Sequence, residues 1–207
     1  MMDIPAREVK ISRRSWLLAG LATPLLRAWG AEPLKVQYDG DNLHIAAPTL
    51  HFLNGKPLER LKDGDVVAYV AQVELWDDAR SAVLKQQRGR FVVSYALWEE
   101  KFSVTQLGSS PRTVEGLSAA GAEVWCLNQM AIPTLNLEPD RFYWLRFNLR
   151  TGNPRDFAAE DQVGISIHRL IEILSRKNAP EIHWGPFEAR LRLTDLPRMA
   201  GRGSRNG

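Results

Sequence analysis

The stretch Asp65-Val66-Val67-Ala68-Tyr69-Val70-Ala71-Gln72-Val73-Glu74-Leu75 decides how this chain is read. Val67, Tyr69, Ala71, Val73 and Leu75 recur at period two, with Gln72 and Glu74 between them. Successive strand side chains point to opposite sides, so the pattern predicts a long strand with one buried face, ending at Trp76-Asp77-Asp78. A second alternation sets Phe91, Val93, Tyr95 and Leu97 on one face and Arg90, Val92, Ser94, Ala96 and Trp98 on the other. Glu99 and Glu100 interrupt it, and Phe102, Val104 and Gln106 resume it. Connections this short leave no room for helical crossovers, which makes the strands antiparallel.

Upstream, Leu34, Val36 and Tyr38 alternate before the polar turn Asp39-Gly40-Asp41-Asn42 and a short strand over residues 43–47, the pattern of a hairpin. Pro57 opens a short helix through Leu58-Glu59-Arg60-Leu61, closed by Lys62-Asp63-Gly64 with Gly64 suited to a left-handed turn. Downstream, Ser110 and Pro111 are placed to cap and start a helix in which Val114, Leu117, Ala120 or Gly121, Val124 and Leu127 recur at helical spacing, ending near Asn128. A loop over residues 133–139 leads to a strand with Tyr143, Leu145, Phe147 and Leu149 inward. Ile167, Leu170, Ile171 and Leu174 predict a helix from about 158 or 161 to 176. A last strand turns Phe187, Ala189, Leu191 and Leu193 inward and Glu188, Arg190 and Arg192 outward. Past Pro197 the tail has nothing to bury and is expected to be disordered.

Six to eight strands, two longer helices and one short helix, with no repeat and no internal linker, make one mainly β domain with helices (α+β) over residues 31–197. Either an antiparallel β-sandwich with helices in its connections or a sheet packed by two helices satisfies the pattern.

The order of these segments resembles the bacterial envelope family named domain of unknown function 4390. The likeness rests on the short helix and Gly64 before the 65–75 strand, on Arg90-Phe91-Val92-Val93-Ser94-Tyr95-Ala96-Leu97-Trp98-Glu99-Glu100-Lys101-Phe102-Ser103-Val104, and on residues 113–117 as a small helix. It covers about residues 45–150 and implies a single domain in the cell envelope. Where the family carries an aromatic, arginine-rich patch, this chain has Asp77-Asp78-Ala79-Arg80-Ser81-Ala82-Val83-Leu84.

The first thirty residues read as an export signal. Ser12-Arg13-Arg14-Ser15-Trp16-Leu17-Leu18 resembles the twin-arginine consensus, with Trp16 where that motif usually has Phe; a general secretory signal is the alternative. The apolar run over residues 16–26 is short for a membrane span, and Arg27-Ala28-Trp29-Gly30 offers small residues for cleavage after Gly30. Membrane contact is then only transient, and the expected location is the periplasm. Of 27 basic and 24 acidic residues, the signal holds five and two, leaving 22 of each in a 177-residue remainder. The apparent basicity disappears with it, and with it any general attraction to nucleic acid. The single cysteine, Cys126, has no partner within the chain.

No constellation of the kind a catalyst needs stands out. His44, His51, His168 and His183 form no HExxH and no close helical pair, so neither a metal nor another cofactor is expected. Cys126 reads as a buried small hydrophobe. Glu99 and Glu100 are adjacent and read as charges at a hairpin end, Asp77-Asp78 as a turn, and residues 116–121 lack the order of a phosphate-binding loop.

The aromatic residues say more. Trp98, Phe142 and Trp144 fall opposite the inferred core, with Trp184 before the last strand, which implies either a second layer supplied by helices or a contact surface. Arg146, Arg150, Arg190 and Arg192 would form an anion-attracting patch if their strands are neighbours. Trp98, Phe142, Trp144, Arg146, Arg190 and Arg192 are accordingly the candidate contact residues. They point to a non-enzymatic periplasmic module that binds an envelope protein or a small apolar or anionic ligand, or that assists assembly of an envelope complex. The alternative is a hydrolase or redox-associated enzyme exported in folded form.

Overall fold

A computed structural model describes residues 34–152 and 181–198, all within one compact unit, Ala31–Gly207. The segment read as an export signal, the helix expected near 161–176 with His168, and the tail from residue 199 lie outside the described residues.

The described residues begin with the expected hairpin, β1 (Lys35–Tyr38) and β2 (Asn42–Ala46). Asp39 shapes its turn by accepting the N–H groups of Asp41 and Asn42 at 2.9 and 2.6 Å, next to Gly40 at φ +109°. The short helix α1 (Gly55–Lys62) ends as the sequence foretold. Gly64, at φ +84°, donates to the Leu61 carbonyl while Asp65 donates to that of Arg60, so the last turn closes on a left-handed glycine.

The next strands follow in order: β3 (Val67–Asp77), β4 (Val83–Ala96), β5 (Lys101–Leu107) and β6 (Arg112–Leu117). Helix α2 (Ala119–Asn128) leads to the short β7 (Ala131–Pro133), and β8 (Phe142–Thr151) and β9 (His183–Arg192) follow before a 3-10 turn, Leu193–Asp195. Six strands form one antiparallel sheet in the order β6-β5-β4-β3-β8-β9; β1, β2 and β7 form a second of three. Among the described residues the fold is α+β, two antiparallel sheets packed with two helices, and so combines the two layerings that periodicity left open.

One hydrophobic core joins these layers. From the large sheet come Val67, Tyr69, Val73, Leu75, Phe91, Val93, Val104, Leu145, Phe147 and Leu149; from the small one come Val36, Leu43, Ile45 and Ile132. Leu61 of α1 and Ala122, Cys126 and Leu127 of α2 close the same core. The two described helices therefore cover the inner face of the large sheet, and among the described residues no helix packs on its outer face. On that outer face Ala68 and Val70 form a small second cluster with Val92 and Leu107.

Three sequence expectations are corrected. Residues 112–117 are an edge strand and not the start of a helix: Val114 pairs with Val104 and Thr113 with Thr105, Gly116 sits at φ +73°, and the cap of α2 is Ser118, whose side chain accepts the Gly121 N–H. Ser110 and Pro111 precede the strand. Pro133, expected to begin the loop, instead ends a strand, residues 131–133, that adds a third member to the hairpin sheet. Leu97 lies past the end of β4 in an exposed turn and does not share the buried face of Phe91 and Val93.

Candidate functional site: an arginine and aromatic face

The register of β3, β8 and β9 builds the site. Antiparallel pairing sets Trp76 beside Trp144 and Trp144 beside Arg190, and one step along it sets Glu74 beside Arg146 and Arg146 beside Glu188. A further rank pairs Phe142 with Arg192. These residues alternate with buried Tyr143, Leu145 and Leu191, so packing of the inner face fixes which side chains reach the outer one.

The β3–β4 turn completes the arrangement. Asp77 accepts the N–H groups of Ser81 and Ala82 at 2.7 and 3.0 Å as well as the Ser81 hydroxyl, and these bonds, the hydroxyl first, hold its carboxyl below the ordinary carboxylate range. The turn so formed carries Arg80 in a left-handed conformation, φ 56°, with its guanidinium 3.6 Å from the centre of the Trp144 ring. Arg190 lies 4.2 Å from the centre of the Phe142 ring, Arg192 5.2 Å from the same ring, and Arg146 5.4 Å from that of Trp76.

Each of these cations is also held by a carboxylate. Arg190 binds Asp78 through two parallel bonds of 2.9 and 3.0 Å, and Arg192 binds Asp195 through two of 2.9 Å. Glu188 receives Arg146 at 2.8 Å and Arg80 at 3.1 Å. The Trp76 indole donates to Glu74 at 3.0 Å, and Gln72 donates to the other Glu74 oxygen at 2.6 Å. Bidentate pairing fixes the plane of a guanidinium as well as its position. The result is a preset surface in which aromatic rings and planar cations alternate.

Five of the six candidate residues, Phe142, Trp144, Arg146, Arg190 and Arg192, thus come together. Trp98 does not join them. It stands in the β4–β5 turn, beyond the Val67 end of β3, whereas Trp76 and Trp144 lie near the other end; at ~3.3 Å per strand residue the separation is roughly 30 Å. Arg150 sits two ranks from Arg146 and binds Glu181 at 2.8 Å. Trp184 turns inward, with its ring 6.0 Å from Tyr69 and 6.3 Å from Phe52. Trp76, Asp78, Arg80 and Glu188 were missed by reading the sequence, because only the strand register and the fold of the β3–β4 turn bring them to the patch.

A second polar group surrounds Glu123, which is buried on α2. It accepts the Leu53 N–H at 2.8 Å and lies 3.1 Å from Nδ1 of exposed His51. Cys126 follows on the same helix, where burial, reinforced by Glu123, pushes its thiol well above the ordinary range; burial does the same to the Tyr69 hydroxyl. A thiol held protonated is a poor nucleophile, and the Glu123 contacts to Leu53 and His51 tie α2 to the segment before α1. His44 pairs with Asp39 at 2.6 Å, and His183 lies 3.6 Å from Glu181. Among the described residues no three His, Cys, Asp or Glu side chains are grouped to hold a metal ion, and no helix is long and apolar enough to cross a membrane.

No protein-family model, curated protein or solved structure matches this chain.

Proposed function

We propose that this chain is an exported envelope protein that works by protein contact, and that the outer face of β3, β8 and β9 is its contact surface. The observation that carries the reading is the stacking of Arg80 on Trp144 and of Arg190 on Phe142, with both guanidiniums fixed by carboxylates. Trp and Arg are the residue types most often found at the energetic centre of protein interfaces. Side chains already locked in place lose less freedom on association, so more of the contact energy remains as affinity.

The same pairing argues against a small free anion as the ligand. Arg146, Arg190 and Arg192 each face a carboxylate of their own chain, which an incoming anion would have to displace. A protein can instead cover rings and ion pairs together. The export half of the proposal rests on residues 1–30, where Arg13-Arg14 precedes an apolar run and a small-residue cleavage site.

The test is the mass of the intact protein isolated from the cell envelope under native conditions. A chain beginning at residue 31, bound to a second protein, is the expected result. Phe142→Ala/Trp144→Ala should weaken that association at least tenfold while leaving the fold intact. Retention of residues 1–30 contradicts cleaved export, and a free monomer contradicts the contact role.

A further inference from the structure

We propose that the apex of the β4–β5 hairpin is a second and separate contact site, which inserts Trp98 into an apolar pocket on a partner protein whose rim is basic. The inference is independent of the outer face, from which Trp98 is separated by most of the length of the sheet.

Trp98 is 100% exposed and Leu97 beside it is 55% exposed. An indole side chain carries on the order of 200 Å² of buriable surface, and leaving it wholly in water forgoes a large hydrophobic gain. Nothing in the hairpin needs an aromatic residue there. The turn is closed by the pairing of Ala96 with Lys101, and Glu100 supplies its left-handed residue at φ 53°. Behind it the Tyr95 and Phe102 rings pack with centres 4.8 Å apart, so the apex stands on a firm base.

The flanking charges select the partner. Glu99 and Glu100 are exposed and have no hydrogen-bonded or ion-paired partner among the described residues, unlike the carboxylates of the outer face. Two solvated carboxylates beside an uncovered indole complement an apolar pocket edged by Lys or Arg. They oppose insertion into an anionic lipid surface, where the same carboxylates would be repelled.

The experiment places a photoreactive phenylalanine analogue at position 98 of the full-length chain in its own cells, with a control at Leu135, which is 73% exposed near the far end of the sheet. The expected result is a discrete protein adduct formed from position 98 and not from 135. It should fall at least fivefold in Glu99→Lys/Glu100→Lys and persist in Phe142→Ala/Trp144→Ala. An adduct that survives the charge reversal, an equal yield from position 135, a crosslink to phospholipid or to a second copy, or no adduct at all would each overturn the proposal. An adduct from position 98 together with an association that Phe142→Ala/Trp144→Ala leaves unweakened would count against the first site alone.

Discussion

Glu123 of α2 accepts the backbone N–H of Leu53 at 2.8 Å, across 70 residues of sequence, and with His51 at 3.1 Å it ties the entry to α1 onto α2. Removing the acceptor leaves a buried N–H without a partner, which costs about 1–3 kcal/mol. Glu123→Ala should lose that much stability in urea unfolding. Glu123→Gln keeps an amide oxygen for Leu53 and should lose clearly less; equal losses would mean that the bond is not what matters.

Acid should weaken the hairpin sheet through Asp39. Hydrogen bonding to His44, then to the N–H groups of Asn42 and Asp41, holds its folded carboxyl well below the usual value. A carboxyl with a depressed folded pKa contributes stability that is present above its unfolded pKa, near 4, and is lost as pH falls below that value. Asp77, also depressed, acts in the same direction. The urea midpoint should therefore drop between pH 5 and pH 2, and Asp39→Asn should flatten part of that drop. An unchanged slope in the variant would refute the assignment.

Gly89, on the buried side of β4, has no room for a side chain. A Cβ there would stand 2.5 Å from the Met130 sulfur and 2.9 Å from the Phe91 ring. Gly89→Ala should cost about 1–3 kcal/mol as the core shifts to admit it, read as a lower melting temperature.

Cys126 should be silent toward thiol reagents in the folded protein. It is buried, and its thiol is held protonated. At pH 8 the native chain should react many times more slowly than the urea-unfolded chain. Comparable rates would place the thiol at the surface.

The ion pairs of the outer face should contribute little to folding. Arg190 and Asp78 are both well exposed, and such pairs are worth about 0–1 kcal/mol. Arg190→Ala should unfold within about 1 kcal/mol of the wild type yet impair the association assigned to this face. A large loss of stability would make the arrangement structural.

Much of this architecture could be read from alternation alone. Val67, Tyr69, Ala71, Val73 and Leu75, and Tyr143, Leu145, Phe147 and Leu149, face the core as their period requires, and Gly64 ends α1 as a left-handed residue must. The misreadings have a common cause. Val114 and Leu117 are three apart, a spacing that suits a helix face, but pairing with β5 across an edge overrides it, and the real cap, Ser118, lies eight residues beyond the expected one. The candidate site was half legible for a related reason. Outward residues of β8 and β9 follow from their own alternation, whereas Arg80 and Asp78 reach the patch only because Asp77 folds its turn back, and Trp98 departs from it because the β3–β4 register puts it beyond the opposite end of the sheet. Local pattern reveals faces; which strands are neighbours, and where turns aim, are long-range facts.

The most direct measurement is native mass spectrometry of the protein taken from the cell envelope, wild type beside Phe142→Ala/Trp144→Ala, with melting temperatures recorded for both. A wild-type complex with a second protein that the variant fails to retain, at melting temperatures within a few degrees, is the expected outcome. A variant that keeps its partner as tightly as the wild type, or a wild type that has none, would contradict the role assigned to the face of Trp144 and Arg190.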